Sequence, residues 1–364
     1  MTDSTNEAAV LVIAAFGKRV NGRARPGKVY THLEAIDRAV DRVTYVTPGP
    51  PANTSPGIEY RRVPPTRFRP LRLLLQWVIV LKLAHQEDYD LIISFSLLPY
   101  GLFALTAKAI SATPAHLGII GIDLDVHAAS WYGGIVQAAF RQFDVVTVAG
   151  TDHRRRLIAT GVEPDRAVSV LHPVAPRYSS VSPVASPTWD ALWIGRFSEE
   201  KDPIAFVDAI AACHATGNRL SAVMVGRGSL ESAVDRAIQQ HGLEDHIDRP
   251  GWIADPVDIY REAKLLVVTS HREMLPLTIV EAMSVGLPVV SPPIGGIPDV
   301  VEDGHSGILV PDRSPTSFAA GIRGILDQYD QYAEQAGSVS DRLNADTEAD
   351  AWRIVVARAA APTT

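Results

Sequence analysis

Two carboxylates, Glu273 and Glu281, stand with seven residues between them in the run SHREMLPLTIVEAMSVGLPVVSPPIGGIPDVVEDGHSGILVP, Ser270 to Pro311. Carboxylates accept hydrogen bonds, so they suit the hydroxyls of sugars and riboses. Two cations, Arg196 and Lys201, lie in GRFSEEKDP, far upstream. Arginine as a bidentate fork and lysine as a point charge can clamp a diphosphate; the plainer reading is a loop with scattered charge. Phosphate-binding groups beside hydroxyl-binding acids describe a site for a sugar nucleotide.

The elements around these residues would have to hold them at one place. AKLLVVTS, ahead of Glu273, reads as a buried parallel strand. Pro276 sits where a helix can start without its N–H. Leu277 to Val285 reads as a short helix that Gly286 closes with a left-handed cap. Leu287 to Val290 is the next strand, Gly295-Gly296 a tight loop, and Pro298 the opening of a second helix. Two strand-to-helix crevices thus lie side by side. In open α/β sheets ligands bind outside the carboxyl ends of strands, where free amides and the helix dipole favour phosphate.

The acid pair, the runs EAMSVGLPVV, GGIPDVV and DGHSGILV, and GRFSEEK together resemble the donor site of the large retaining glycosyltransferase family 4, the group 1 enzymes. That resemblance implies a GT-B fold: two Rossmann-like, doubly wound α/β domains facing a central cleft. It implies a nucleotide sugar as co-substrate, with no cofactor and no required metal. Glu281 would hold the ribose. Glu273 and the segment Leu275, Pro276, Leu277 and Thr278 would hold the donor sugar and phosphate. Arg196 and Lys201 would stabilise the departing diphosphate, and Gly226 and Trp252 would border the nucleotide. The family commonly has Gly directly after the first Glu; this chain has Met274.

Composition sets bounds. The chain has 364 residues, natural for two domains, and 46% hydrophobic residues can fill two cores. A net charge of −7 argues against a nucleic-acid binder. A single cysteine, Cys213, excludes an internal disulfide and points to a reducing compartment, with a packing role inside DAIAACHATG. The N-terminal run is polar and then briefly apolar, with no basic lead, and is read as a frayed start to the first strand. No apolar run reaches the roughly 18 residues of a membrane span.

Along the first half, strands are expected at Val10–Ala15, Val43–Thr47, Leu91–Ser96, Ala115–Gly121, Val145–Ala149 and Ala167–Leu171, and a helix at Leu97–Ser111. GRARPGK, Gly22 to Lys28, matches the start of a phosphate-binding P-loop, but Val29 replaces the Ser or Thr that would hold Mg²⁺. The loop reads either as solvated charge or as an anion site. On the second reading Arg23 and Arg25 meet an acceptor phosphate, and the family resemblance implies that a glycine of this loop, Gly27, faces the reaction centre. Asp123, Asp125 and His127 fall at a strand's carboxyl end; relatives carry a His-Gly-x-Asp-like element there, of which this chain keeps Gly121 and Asp123 and has Ile120 for the His. Arg61 to Gln86 joins a basic, Pro-broken entry to an apolar helix containing Trp77. It is either a core helix or one lying on an anionic membrane face. Arg154, Arg155 and Arg156 read as a solvated helix face.

These readings divide the chain into an acceptor-side domain (1–175), a Pro/Ser-rich linker (176–189), a nucleotide-sugar domain (190–345) and a terminal helix (346–364) crossing back to the first domain. The expected function is retaining, metal-independent transfer of a hexose-type sugar from a nucleotide-diphosphate sugar. The acceptor would be a glycan precursor, lipid-linked or phosphorylated. The setting would be cytoplasmic, at the inner face of the cytoplasmic membrane. The alternatives are a sugar-nucleotide 2-epimerase and a non-catalytic sugar-nucleotide-binding module. A dinucleotide dehydrogenase is disfavoured, because no G-x-G-x-x-G follows the first strand. Replacing Arg23 and Arg25 together by alanine should weaken acceptor binding and leave donor binding intact. Equal losses for both ligands, measured by calorimetry, would remove the acceptor-phosphate assignment.

Overall fold

A computed structural model describes residues 8–14, 19–20, 23–24, 28–47, 57–120, 122–172 and 174–361. The chain divides into two compact units, Met1–Pro173 with Ala345–Thr364, and Val174–Asn344. The stretch read as a linker, 176–189, belongs to the second unit. Tyr178 is buried edge-on against Tyr260, and the Val184 amide donates to the Arg261 carbonyl at 2.9 Å. A buried aromatic contact and a backbone hydrogen bond tie down a segment whose Pro and Ser content alone suggested a free linker.

The first unit contains β1 (Ala9–Ile13), β2 (Arg19–Val20), β3 (Arg23–Ala24), β4 (Arg42–Thr47), β5 (Ile58–Arg62), β6 (Leu91–Phe95), β7 (Ala115–Ile119), β8 (Val145–Val148) and β9 (Ala167–Ser169). Seven of these form one parallel sheet in the order β5-β4-β1-β6-β7-β8-β9, and β2 pairs with β3 in an antiparallel ladder. Runs such as LVI in β1 and LIISF in β6 are buried along their length, as strands covered on both faces must be. β5 eluded the sequence reading because IEYRR, at the sheet edge, buries only Ile58 and carries its charges outward. The expected Leu97–Ser111 helix starts only at Leu102, after a wide turn at Leu97–Gly101. Arg154 to Arg156 are tied down as well: Arg154 bonds the Ala167 and Pro164 carbonyls, Arg155 Asp152, and Arg156 Asp125.

The terminal helix Ala345–Ala360 packs on this unit. Trp352, Val355 and Ala359 enter the core beside Val10, Val12 and Phe95. The buried Glu348 carboxylate receives the Trp352 indole N–H at 3.1 Å and pairs with His32 Nδ1, while His32 Nε2 meets His172 Nδ1 at 2.9 Å. A helix at the far end of the chain is thereby fixed to the helix Lys28–Ala39 that follows the first loop.

The second unit contains β10 (Trp189–Ile194), β11 (Ala222–Val225), β12 (Ile247–Gly251), β13 (Ala263–Val267), β14 (Val289–Ser291) and β15 (Gly307–Leu309), all parallel, in the order β12-β11-β10-β13-β14-β15. Helix Leu277–Val285 ends at Gly286 with φ +99°, as its sequence predicts. The helix expected at Pro298 is only the three-residue turn Ile297–Asp299, because Val301 already begins the approach to the next bend. Cys213 is buried in this core, and burial pushes its thiol up to about 11, an inert packing group.

His116, wholly buried on β7, bonds Thr147 Oγ1 at 2.9 Å. Burial, and next the neighbouring His32, push its pKa down from 6.5 to about 3. The unfolded chain therefore takes up a proton below pH 6.5 that the folded chain refuses until about pH 3. Stability should fall through that window as pH drops, by about 1.4 kcal/mol per pH unit from this group. Denaturant titrations of the wild type and of His116→Gln across the window should show the shallower acid slope in the variant; parallel slopes would contradict it.

Candidate active site

In the second unit the chain runs from β10 outward to β11 and β12, then returns to lay β13 on the other side of β10. Connections therefore leave β10 and β13 in opposite directions, and a crevice opens at their carboxyl ends. Lys201 lies on the loop leaving β10 and Glu273 on the loop leaving β13. The structure joins them as an ion pair, Lys201 Nζ to Glu273 Oε1, across 72 positions of sequence. Ser270 Oγ donates to the same oxygen at 2.7 Å.

The two loops are held by groups that sequence reasoning missed. Thr269 Oγ1 lies 3.0 Å from the Lys201 carbonyl and 2.7 Å from that of Asp202, and accepts the Trp193 indole N–H at 2.9 Å. Arg313 donates to the Ser270 carbonyl and, at 2.7 Å, to Asp202 Oδ2. Asp202 caps the helix Pro203–Ala215 while its own backbone sits at φ +45°. Nothing local in the sequence links Arg313 to Asp202; an aspartate before a proline was the only visible half of the device.

Glu273 is set at its height by glycine. Gly295 has φ +59°, and a Cβ there would lie 2.0 Å from the Glu273 carbonyl oxygen and 2.6 Å from that of Met274. The Gly296 amide donates to the Met274 carbonyl. Met274 is buried and is not among the described residues with positive φ, so its backbone needs no glycine. Leu275 and Pro276 are buried behind it, and Leu277 and Thr278 open the helix. No side chain caps that helix, so among the described residues its first amides keep their hydrogens for an anion.

Arg196 is exposed at the end of β10, and its guanidinium has no hydrogen-bond partner among the described residues. Gly226 lets the loop after β11 close on it: a Cβ there would stand 1.8 Å from the Gly195 carbonyl. The Phe197 amide donates to the Arg227 carbonyl and the Gly226 amide to the Gly251 carbonyl, stitching three loops together. Trp252 follows, half-buried.

The second acid has a different setting. Glu281 is buried on the helix Leu277–Val285, and Oε2 accepts the Tyr260 hydroxyl at 2.8 Å. Burial, and next the Glu281 charge, push the Tyr178 phenol up to about 12. Partial burial would lower the Arg177 guanidinium, but Tyr178, Asp255 and Glu281 outweigh it and raise it. Glu281 therefore answers to a Tyr/Arg set, and Glu273 to Lys201 and Ser270.

In the first unit, Gly27 and Arg25 lie outside the described residues, and of Arg23 only its ladder pairing with Val20 is described. Asp123 is buried after β7. It accepts the Leu97 amide at 3.3 Å, while Oδ2 has no hydrogen-bond partner among the described residues. Burial raises its pKa, against the Leu97 amide and His127, which lower it. His127 Nδ1 meets the Tyr132 hydroxyl at 2.6 Å. Burial alone would raise Asp125, but His153 and Arg156 hold it below its ordinary value. Among the described residues no three His, Cys, Asp or Glu side chains gather in a metal-holding group.

Comparison with known proteins follows the same division. Residues 176–338 match the family model for glycosyl transferases group 1, and residues 29–171 the glycosyl transferase 4-like domain. The chain belongs to the group 1 glycosyltransferases. It is 28% identical over 236 residues to the putative colanic acid biosynthesis glycosyltransferase WcaL of Salmonella typhimurium, covering 61% of this chain and 58% of that protein. It is 33% identical over 189 residues to the D-inositol 3-phosphate glycosyltransferase of Geodermatophilus obscurus, covering 49% and 41%. The matches thus span about half the length of these relatives. Its fold is shared with Anabaena HepE, crystallised with UDP and glucose: TM-score 0.74 at 21% identity, covering 94% of this chain and 97% of that one. The fold is the GT-B type of this family, built from two Rossmann-like domains.

Gly295→Ala should lower nucleotide-sugar affinity at least tenfold while the far-UV spectrum stays native, since the added methyl must push Glu273 away. Gly304→Ala, at φ +73° but facing open space, supplies the control for backbone strain alone. Equal affinities in the two variants would show that the close approach at Gly295 does not set the site.

Proposed function

We propose that this group 1 glycosyltransferase moves a hexose-type sugar from a nucleotide-diphosphate sugar to a glycan precursor, with retention at the anomeric carbon and no metal requirement. The observation that carries the reading is the meeting of Lys201 and Glu273 at the carboxyl ends of β10 and β13. An entering diphosphate competes with Glu273 for Lys201. The ammonium turns to phosphate, and the freed carboxylate accepts hydroxyls of the donor sugar. Glu281, oriented by Tyr260, takes the ribose.

As the sugar–phosphate bond breaks, negative charge collects on the leaving diphosphate. On this reading Arg196, Lys201 and the uncapped amides of Leu277 and Thr278 receive it, which is where a transition state gains most from fixed donors. No side chain is assigned as nucleophile. On the acceptor side, Asp123 and His127 offer polar groups at the end of β7, and the Arg23–Arg25 loop offers charge for a phosphate. The relatives named for inositol 3-phosphate and for colanic acid support a phosphorylated or polymer-precursor acceptor. A lipid-linked precursor would place the enzyme in the cytoplasm against the inner face of the membrane.

Purified protein should hydrolyse one donor slowly when screened against a panel of nucleotide sugars, releasing nucleoside diphosphate. Arg196→Ala and Lys201→Ala should each cut turnover by about two to three orders of magnitude. Normal turnover in either variant, or an epimerised nucleotide sugar as the main product, would overturn the reading; proton NMR of the glycoside tests retention.

A further inference from the structure

The helix Arg69–Gln86 of the first unit presents two faces of opposite character. Gln76, Val80, Leu83 and Ala84 are buried. Leu71, Leu74 and Val78, at spacings of three and four, lie on the other side and are 42%, 49% and 50% exposed. Phe68, just ahead of the first turn, is 65% exposed. These side chains form one stripe about 10 Å long on the helix. Trp77 is not part of it: it stacks on Phe103 and donates to Thr106 Oγ1 at 2.8 Å.

The stripe continues off the helix. The Trp77–Phe103 stack joins it to the helix Leu102–Ser111, and Arg69 and Arg72 are close enough to act electrostatically on Tyr100. Leu98 and Leu102, on either side of Tyr100, are 50% and 43% exposed. Single exposed apolar side chains are ordinary; a row of them on one face is not.

Charge selects the occupant. From Arg61 to Gln86 the chain has six basic residues, Arg61, Arg62, Arg67, Arg69, Arg72 and Lys82, and no acid, within a protein of net charge −7. Arg61 is spent on Glu59 and Glu87. Arg67 and Arg69 are exposed, and Arg72 half-exposed, around the end of the stripe that carries Phe68 and Leu71. Apolar side chains rimmed by arginines match a lipid surface with anionic headgroups, where the guanidiniums meet phosphate and the leucines enter the acyl boundary. Among the described residues no helix is long and apolar enough to cross a membrane, so this one would lie along the surface.

We propose that Phe68, Leu71, Leu74 and Val78, extended by Leu98 and Leu102 and rimmed by Arg67, Arg69 and Arg72, dock the protein on an anionic bilayer. The proposal draws its purpose from the glycosyltransferase reading, since a lipid-linked acceptor would be met there. Its evidence is separate.

Flotation of the full chain with vesicles of equimolar phosphatidylglycerol and phosphatidylcholine, against phosphatidylcholine alone, tests it. The wild type should float with the anionic vesicles and lose that binding in high salt. Arg67→Gln/Arg69→Gln/Arg72→Gln should reduce partitioning by about fivefold per arginine, and Leu71→Glu/Leu74→Glu by at least tenfold. Both variants should keep the wild-type thermal shift with nucleotide sugar, which reads the donor site independently and shows that the fold is intact. Wild type that stays unbound, or variants that float as well as wild type, would overturn the proposal. So would a lipid-free dimer that Leu71→Glu/Leu74→Glu dissolves, since a second copy would then own the stripe.

Discussion

The ion pair between Lys201 and Glu273 is the contact around which the loops of the second unit's crevice are built. Its stabilising value is small: taking two charges partly out of water costs about as much as their attraction returns. Its geometry is what the surrounding structure secures. Strand order creates a crevice between β10 and β13, and one loop from each supplies one charge. Thr269 fixes the backbone that carries Lys201, and Gly295 fixes the backbone that carries Glu273. Arg313 spans the two loops through Asp202 and Ser270. A pair of weak energetic worth is thus held from three sides, which is the geometry the proposed exchange with a diphosphate requires.

The first unit spends buried polar groups differently. Glu348, His32, His172 and Trp352 form a buried network that binds the last helix to the helix after the first loop. Removing one partner would leave a buried charge or donor unanswered, which is the expensive case. All four side chains are buried, so the network's evident work is to hold position. Asp123 shares one feature with Glu348, a buried carboxylate oxygen lacking a hydrogen-bond partner among the described residues, but it lies at the end of β7, and burial raises its pKa.

Much of this was legible in the sequence, because the strong signals are local. Continuous apolar runs marked the inner strands, and a glycine after VEAMSV marked a helix end. The acids and cations of the donor site stood in motifs of fixed spacing. What escaped was non-local. The pairing of Arg313 with Asp202 joins residues 111 positions apart, and the partner of Glu281 is Tyr260 on another helix. The edge strand β5 escaped because it buries only Ile58: IEYRR shows no apolar run to read. The supposed linker escaped because two tyrosines, not its overall composition, decide where it packs. The helix Arg69–Gln86 was open to two readings, core or surface, and only its packing shows that Gln76, Val80, Leu83 and Ala84 are buried while Leu71, Leu74 and Val78 are exposed.

Met274 shows how a departure from a family pattern is absorbed. Relatives commonly place glycine there, and a glycine can mean either a special backbone angle or a need for closeness. The angle is not needed, because Met274 does not have positive φ and its side chain is buried. Closeness is needed, but from the opposite side: Gly295 and Gly296 press against the carbonyls of residues 273 and 274. The backbone of the acid loop is therefore defined by what packs behind it, and the residue following Glu273 can be large so long as its side chain goes into the protein. The steric demand has not been relaxed in this chain; it is met one loop away, by Gly295, where the geometry leaves no room for a Cβ.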